Sequence, residues 1–181
     1  MESTKPNQSG VAIKWALINF FAAIIITFVI QFAGGNPLGP VSYLGDIPFI
    51  AFLCLSQIEY RKQLSGFMTY GQGFIEGLLF SVFNSILAAI FIALYVSILS
   101  PDVWQKYIDT QQAAYVQRGM SSDQIDTAME LLRKYGVLFV TVGALFGGTI
   151  VGIIISLITA AIFKKERTLA DIENQANDPA V

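Results

Sequence analysis

From Val137 to Phe163 the chain runs 27 residues without one charged side chain. As an α-helix such a run is about 40 Å long, more than the roughly 30 Å of hydrocarbon in a bilayer. Within that solvent the backbone has no water to bond to, so only a helix or a closed barrel is admissible. The run has no period-two alternation, which leaves the helix. Composition agrees: 54% of the residues are hydrophobic and only 13% are charged, about half the charge of an ordinary soluble domain.

Three further apolar runs bring the expected spans to about 15–33, 41–58, 70–99 and 137–163. The first, Trp15 to Ala33, is too long for a signal-peptide core and no small-x-small cleavage site follows it, so it reads as a retained span rather than a signal peptide. Gly34-Gly35-Asn36-Pro37 and Gly39-Pro40 then mark a turn. The second, the weakest, contains Pro48: either the helix kinks there or it starts near Ile47, with Asp46 at its N-terminus. The third is stopped by Ser100-Pro101, and Thr69 with Gln72 has capping-box spacing at its start. The fold class is therefore all-α: a polytopic membrane protein with one integral domain over 1–166 and a polar tail over 167–181.

Basic residues in short loops set orientation. Lys5, Lys14, Arg61, Lys62, Lys164, Lys165 and Arg167 fall on one side, against Lys106, Arg118, Arg133 and Lys134 spread over a longer loop on the other. Both termini are expected in the cytoplasm. The outer loop, about 101–135, is expected to form two short amphipathic helices. Trp104, Tyr107, Ile108 and Tyr115 share one face of the first. Ser121 with Gln124 caps the second, Met120 and Ile125 have staple spacing, and Ile125, Ala128, Met129 and Leu132 repeat at helical period. Such a hairpin either caps the bundle or offers a binding surface.

Two patterns bear on mechanism. In the fourth span Ala144, Gly148, Gly152, Ser156 and Ala160 recur every four residues, and Gly143 and Gly147 add a pair at the same spacing. Small residues at this period let helix backbones approach closely in a membrane, the partner being either another helix of the chain or a second protomer. In the third span Glu76 and Asn84 lie about 40° and 120° around the helix from Gln72, with Gly73, Gly77 and Ala88 nearby. Phe74, Ile75, Leu78, Val82 and Ile86 take the other half. Glu76 is the one formal charge between Tyr70 and Leu99. An ionisable group inside a span marks a candidate site. Gln72, Glu76 and Asn84 therefore form the candidate intramembrane polar site. Glu76, about 10 Å from the helix start, either reaches Arg61, Lys62 or water, or serves a proton, cation or ligand.

The sequence is poor in catalytic groups. It has no histidine and one cysteine, Cys54, so His-based nucleophile pairs, histidine-rich metal sites and an intrachain disulfide are all absent. Gly71-Gln72-Gly73 lacks the third glycine of a dinucleotide fingerprint and no strand precedes it. A net charge of −2 provides no basic stripe for nucleic acid. No enzyme activity, metal or cofactor is expected; the partners expected are the lipid bilayer and a second copy or another membrane protein.

Glu59-Tyr60-Arg61-Lys62 ends the second span and Gly66-Phe67-Met68-Thr69-Tyr70-Gly71-Gln72-Gly73-Phe74 enters the third. With the Leu94-Tyr95 to Ser100-Pro101-Asp102 exit, the helical outer loop, the glycine-rich last span and the Lys164-Lys165 stop, the chain resembles domain-of-unknown-function family 4199, small bacterial membrane proteins. The resemblance covers about residues 10–166. It implies a multi-pass inner-membrane protein with no established activity, so it transfers no functional residues. The leading expectation is a structural or interaction component; the alternative is a small transporter, channel or lipid-binding protein using the polar face of the third span.

Overall fold

The computed structural model describes residues 6–168. Its elements are α1 (Gln8–Phe32), a 3-10 turn (Pro40–Gly45), α2 (Asp46–Gln63), α3 (Tyr70–Leu94) running into a π-turn (Tyr95–Leu99), α4 (Pro101–Gln117) and α5 (Ser122–Phe163). Four stretches, Gln8–Phe32, Pro40–Gln63, Tyr70–Leu99 and Ser122–Phe163, are long and apolar enough to cross a membrane. Among the described residues the only extended pairing is an isolated bridge between Met68 and Lys165. Most of the tail expected over 167–181, and Lys5 at the other end, lie outside the described residues.

Several boundaries differ from expectation, each for a local reason. α1 begins seven residues before Trp15 because the Asn7 side chain accepts from the Gly10 N–H at 2.9 Å and caps the helix there. Its extra turns bury Val11 against Tyr60 and Met68. α2 begins at Asp46, so Pro48 sits in the first turn, where a missing N–H costs nothing, and no kink is needed.

The larger difference is at the hairpin. The expected second short helix does not end before the fourth span: Ser122 to Phe163 is one helix of 42 residues, about 63 Å long. Only Gly136 interrupts good helix formers at the junction, at a cost of about 1 kcal/mol. Trp104 lies against that glycine: a Cβ there would come within 2.6 Å of its ring. α4 folds back along the free end of α5, where Ile108, Ile125 and Met129 are buried among Trp104, Tyr115, Met120 and Leu132.

α3 is the hub, in contact with α1, α2 and α5. Against α5 it runs antiparallel in a fixed four-residue register. Gly73 meets Ala160, Gly77 meets Ser156, Ser81 meets Gly152 and Ser85 meets Gly148. A Cβ added at Gly77 or Gly152 would collide with the facing serine, and one at Gly148 would lie 2.7 Å from the Ser85 hydroxyl. The partner of the small-residue stripe is thus a helix of the same chain. Gly143 and Gly147 are not part of that seam: both are exposed, and a Cβ at either would meet nothing within 4 Å. Each sits one residue before a member of the α3-facing row, Ala144 or Gly148, and so points about 100° to the same side of it, too far to reach α3.

Overpacking a tight seam typically costs about 1–3 kcal/mol, which gives a direct check. Gly152→Leu is expected to lower the unfolding midpoint of the detergent-solubilised protein sharply, while Gly147→Leu leaves it unchanged. Equal effects would mean that the seam is misplaced.

Candidate functional site

The three residues expected to share one polar face are split between three environments. Gln72 belongs to the end of the helix. Its side chain accepts from the Thr69 N–H at 2.9 Å, the Thr69 hydroxyl accepts from the Gln72 N–H, and together they close the capping box. The Gln72 carbonyl also accepts from Gln8 Nε2 at 3.0 Å, tying α1 to α3.

Glu76 is fully buried between α2, α3 and α5. It does not reach Arg61 or Lys62. The Ser56 hydroxyl donates to its Oε1 at 2.6 Å, and Oε2 has no partner. Beside Ser56, Gln57 donates from Nε2 to the Gly73 carbonyl at 2.9 Å, leaving its own Oε1 unpartnered. Among the described residues Glu76 forms no ion pair. Arg61 is engaged elsewhere, donating to the Phe163 carbonyl at 3.2 Å at the C-terminus of α5, where its charge also suits the helix dipole; Lys14 pairs with Glu59, which accepts from Trp15 Nε1 at 2.9 Å as well. Among the described residues two acceptors without a donor stand in one buried layer, and a carboxylic acid at Glu76 carries the O–H that a carboxylate lacks. Phe80, also fully buried, lies one turn beyond Glu76 and separates it from Asn84.

Asn84 lies about 21 Å along α3 and accepts from Asn19 Nδ2 of α1 at 2.7 Å. Here the bundle is open. α2 is only 18 residues long, about 27 Å, and its first buried side chain, Phe49, packs on Phe80. Beyond Phe49, among the described residues, the 3-10 turn Pro40–Gly45 borders the space flanked by α1, α3 and α5 without filling it, and a chamber of about 450 Å³ remains. Asn19, Asn84, Ser85 and Gly148 line its inner end, Ala23, Ala88 and Ala144 its walls, and Ser42, Tyr43 and Asp46 its mouth. An aromatic side arm of about 170 Å³ shares Ala23, Asn84, Ala88 and Ala144 and continues past Phe20, Phe91 and Tyr95. Tyr95 donates to Gln31 Oε1 at 2.8 Å and Gln31 Nε2 donates to Ser100 at 3.0 Å, holding the outer ends of α1 and α3 together.

Sequence reasoning missed Ser56, Gln57, Asn19 and Ser85. The signal for Asn19 was its position: a mid-span amide in α1 needs a partner, and Asn84 offered one. Ser85 could have been found from the seam register that places it on Gly148. No comparable signal marked Ser56 and Gln57, which owe their place to how α2 docks. Among the described residues no group of three or more His, Cys, Asp or Glu side chains is placed to hold a metal ion.

A family model described as a protein of unknown function, DUF4199, matches residues 14–165. No curated protein and no solved structure shows significant similarity to the chain.

Glu76→Gln keeps the acceptor for Ser56 and adds an N–H₂ in the layer that lacks donors, so the unfolding midpoint should move by less than about 1 kcal/mol equivalent. Glu76→Ala strands the Ser56 hydroxyl and opens a void, at roughly 2–4 kcal/mol. A collapse on Glu76→Gln as deep as on Glu76→Ala would show that the site requires the ionised carboxylate.

Proposed function

The chain belongs to DUF4199, a family whose description assigns no activity, and from its geometry we propose a non-catalytic interaction component of the bacterial inner membrane, with both termini cytoplasmic and the α4–α5 hairpin outside. One observation carries this reading: α5 is unbroken from Ser122 to Phe163. At about 63 Å it is twice the hydrocarbon thickness and its charge-free run covers Val137 to Phe163, so about a third of it, from Ser122 to Gly136, stands clear of the bilayer as a rigid arm. α4 packs along that arm and stiffens it. Along the arm, Val116 and Leu131 are 61% and 51% exposed among polar neighbours, and Met120, Asp123, Ala128 and Leu131 line a shallow groove. An arm of this kind presents a surface at a fixed height above the membrane, which serves docking to a partner protein rather than turnover of a substrate. The orientation is supported by Arg61, Lys62, Lys164, Lys165 and Arg167 gathering at the opposite end of the bundle.

The alternative, a small transporter, channel or lipid-binding protein acting along the third span, loses its original form, because Gln72, Glu76 and Asn84 line no common path. What favours a ligand is the chamber at Asn84 alone.

Two measurements test the proposal. With Cys54 replaced by alanine, an impermeant maleimide applied to intact cells should label Lys106→Cys and spare Lys62→Cys; the reverse pattern would invert the orientation. A photo-crosslinking side chain at Val116 or Leu131 should give discrete protein adducts in native membranes, while one at Phe146 gives lipid adducts. Only lipid adducts from all three positions would overturn the interaction role.

A further inference from the structure

The chamber between α1, α3 and α5 ends on polar atoms that the fold leaves unused. Asn19 and Ser85 are 3% and 1% exposed, and among the described residues Asn19 Oδ1 and Ser85 Oγ have no hydrogen-bond partner. An unsatisfied buried polar group costs about 1–3 kcal/mol, and here two line one floor. The contrast with neighbouring serines is informative. Ser81 and Ser156, on the same seam, each donate to a carbonyl four residues back in their own helix, at 2.7 and 2.6 Å. Ser85 has the same option and does not take it; it lines the chamber instead.

We propose that this chamber binds an uncharged amphiphile: a hydrocarbon body ending in a group that both donates and accepts a hydrogen bond, such as the hydroxyl of a monoacylglycerol or a long-chain alcohol. The floor sets the head group. Asn19 Oδ1 needs a donor, and the Ser85 hydroxyl can donate or accept, so a ligand hydroxyl can serve either group. The walls set the body. Alanine on all three helices, at Ala23, Ala88 and Ala144, leaves width for a chain, and Phe20, Phe91 and Tyr95 provide an apolar arm for it. Charge sets what is refused. The floor and walls carry no cation, and the one charged residue at the mouth is Asp46, so a fatty acid or a phosphate ester enters past a like charge to a floor with nothing to neutralise it. The size fits as well, since small-ligand sites are typically about 300–1,000 Å³. This site lies away from the α4–α5 arm and stands or falls independently of the partner role.

The test uses the full-length protein in nanodiscs of neutral lipid with a diazirine-bearing monoacylglycerol as probe, labelled peptides being mapped by mass spectrometry. Labelling is expected to concentrate around Ala23, Ala88 and Ala144. Ala144→Phe, which fills the width shared by chamber and arm, should cut it by about tenfold or more, and Ser85→Ala, which removes the hydroxyl without adding bulk, should cut it several-fold. Ala88→Leu replaces Ala144→Phe if the latter does not yield a monodisperse protein. The corresponding unlabelled alcohol should compete, and the fatty acid of equal length should compete at least tenfold less well. Labelling spread over lipid-facing positions such as Phe146 and Ile154 and insensitive to both variants would overturn the site. Equal competition by the fatty acid would overturn the neutral head group.

Discussion

The close approach of α3 and α5 is the contact on which the rest of the bundle depends. Helices long and apolar enough to cross a membrane would gain nothing there from expelling water, so dispersion at short range and the absence of bulky side chains must hold them together. Gly73, Gly77, Gly148 and Gly152, alternating with Ala160, Ser156, Ser85 and Ser81 across the seam, allow that distance along four successive turns. With the two longest spans locked at this separation, α2 can dock beside them and enclose Glu76. α1 then pairs with α3 in parallel, with Asn19 to Asn84 near the middle and Gln31 to Tyr95 at the far end.

Polar groups in this interior fall into two kinds, and the difference is physical rather than compositional. Ser81, Ser156 and Thr159 donate to carbonyls of their own helix and behave as small spacers. Thr27 and Thr149 do the same at less buried positions. Glu76, Gln57, Asn19 and Ser85 each retain an atom without a partner. They divide between a closed layer below Phe80 and an open chamber above it. Sealed and open polar layers in one bundle have different consequences: the first specifies how α2 docks, the second leaves hydrogen-bonding capacity for something that arrives from outside.

How much of this was legible in the sequence follows from which forces are local. The four helices long and apolar enough to cross a membrane were readable because some twenty apolar residues in a row answer to one solvent. Capping boxes at Thr69 and Ser121 were readable because both partners lie three residues apart. The four-residue stripe named a close helix contact, while its partner was settled only by the register that sets Gly152 on Ser81. The wheel around Gln72, Glu76 and Asn84 grouped residues by angle and was blind to height. Gln72 ended at the cap, Glu76 in a buried layer and Asn84 in a chamber because α2 is shorter than its neighbours, and which residues a short helix covers is a tertiary fact. The continuity of α5 was lost for a similar reason: the outer hairpin and the fourth span read as separate elements on either side of Gly136, and Trp104, from another helix, fills the space that glycine leaves.

The unbroken course of α5 has a mechanical meaning. The same rod carries Met129, under α4, and Gly148, on the floor of the chamber, with no hinge between them. A lateral push on the tip is therefore not absorbed in a loop. Tip and chamber floor are parts of one continuous element, seated on α3 along the seam from Gly148 to Ala160.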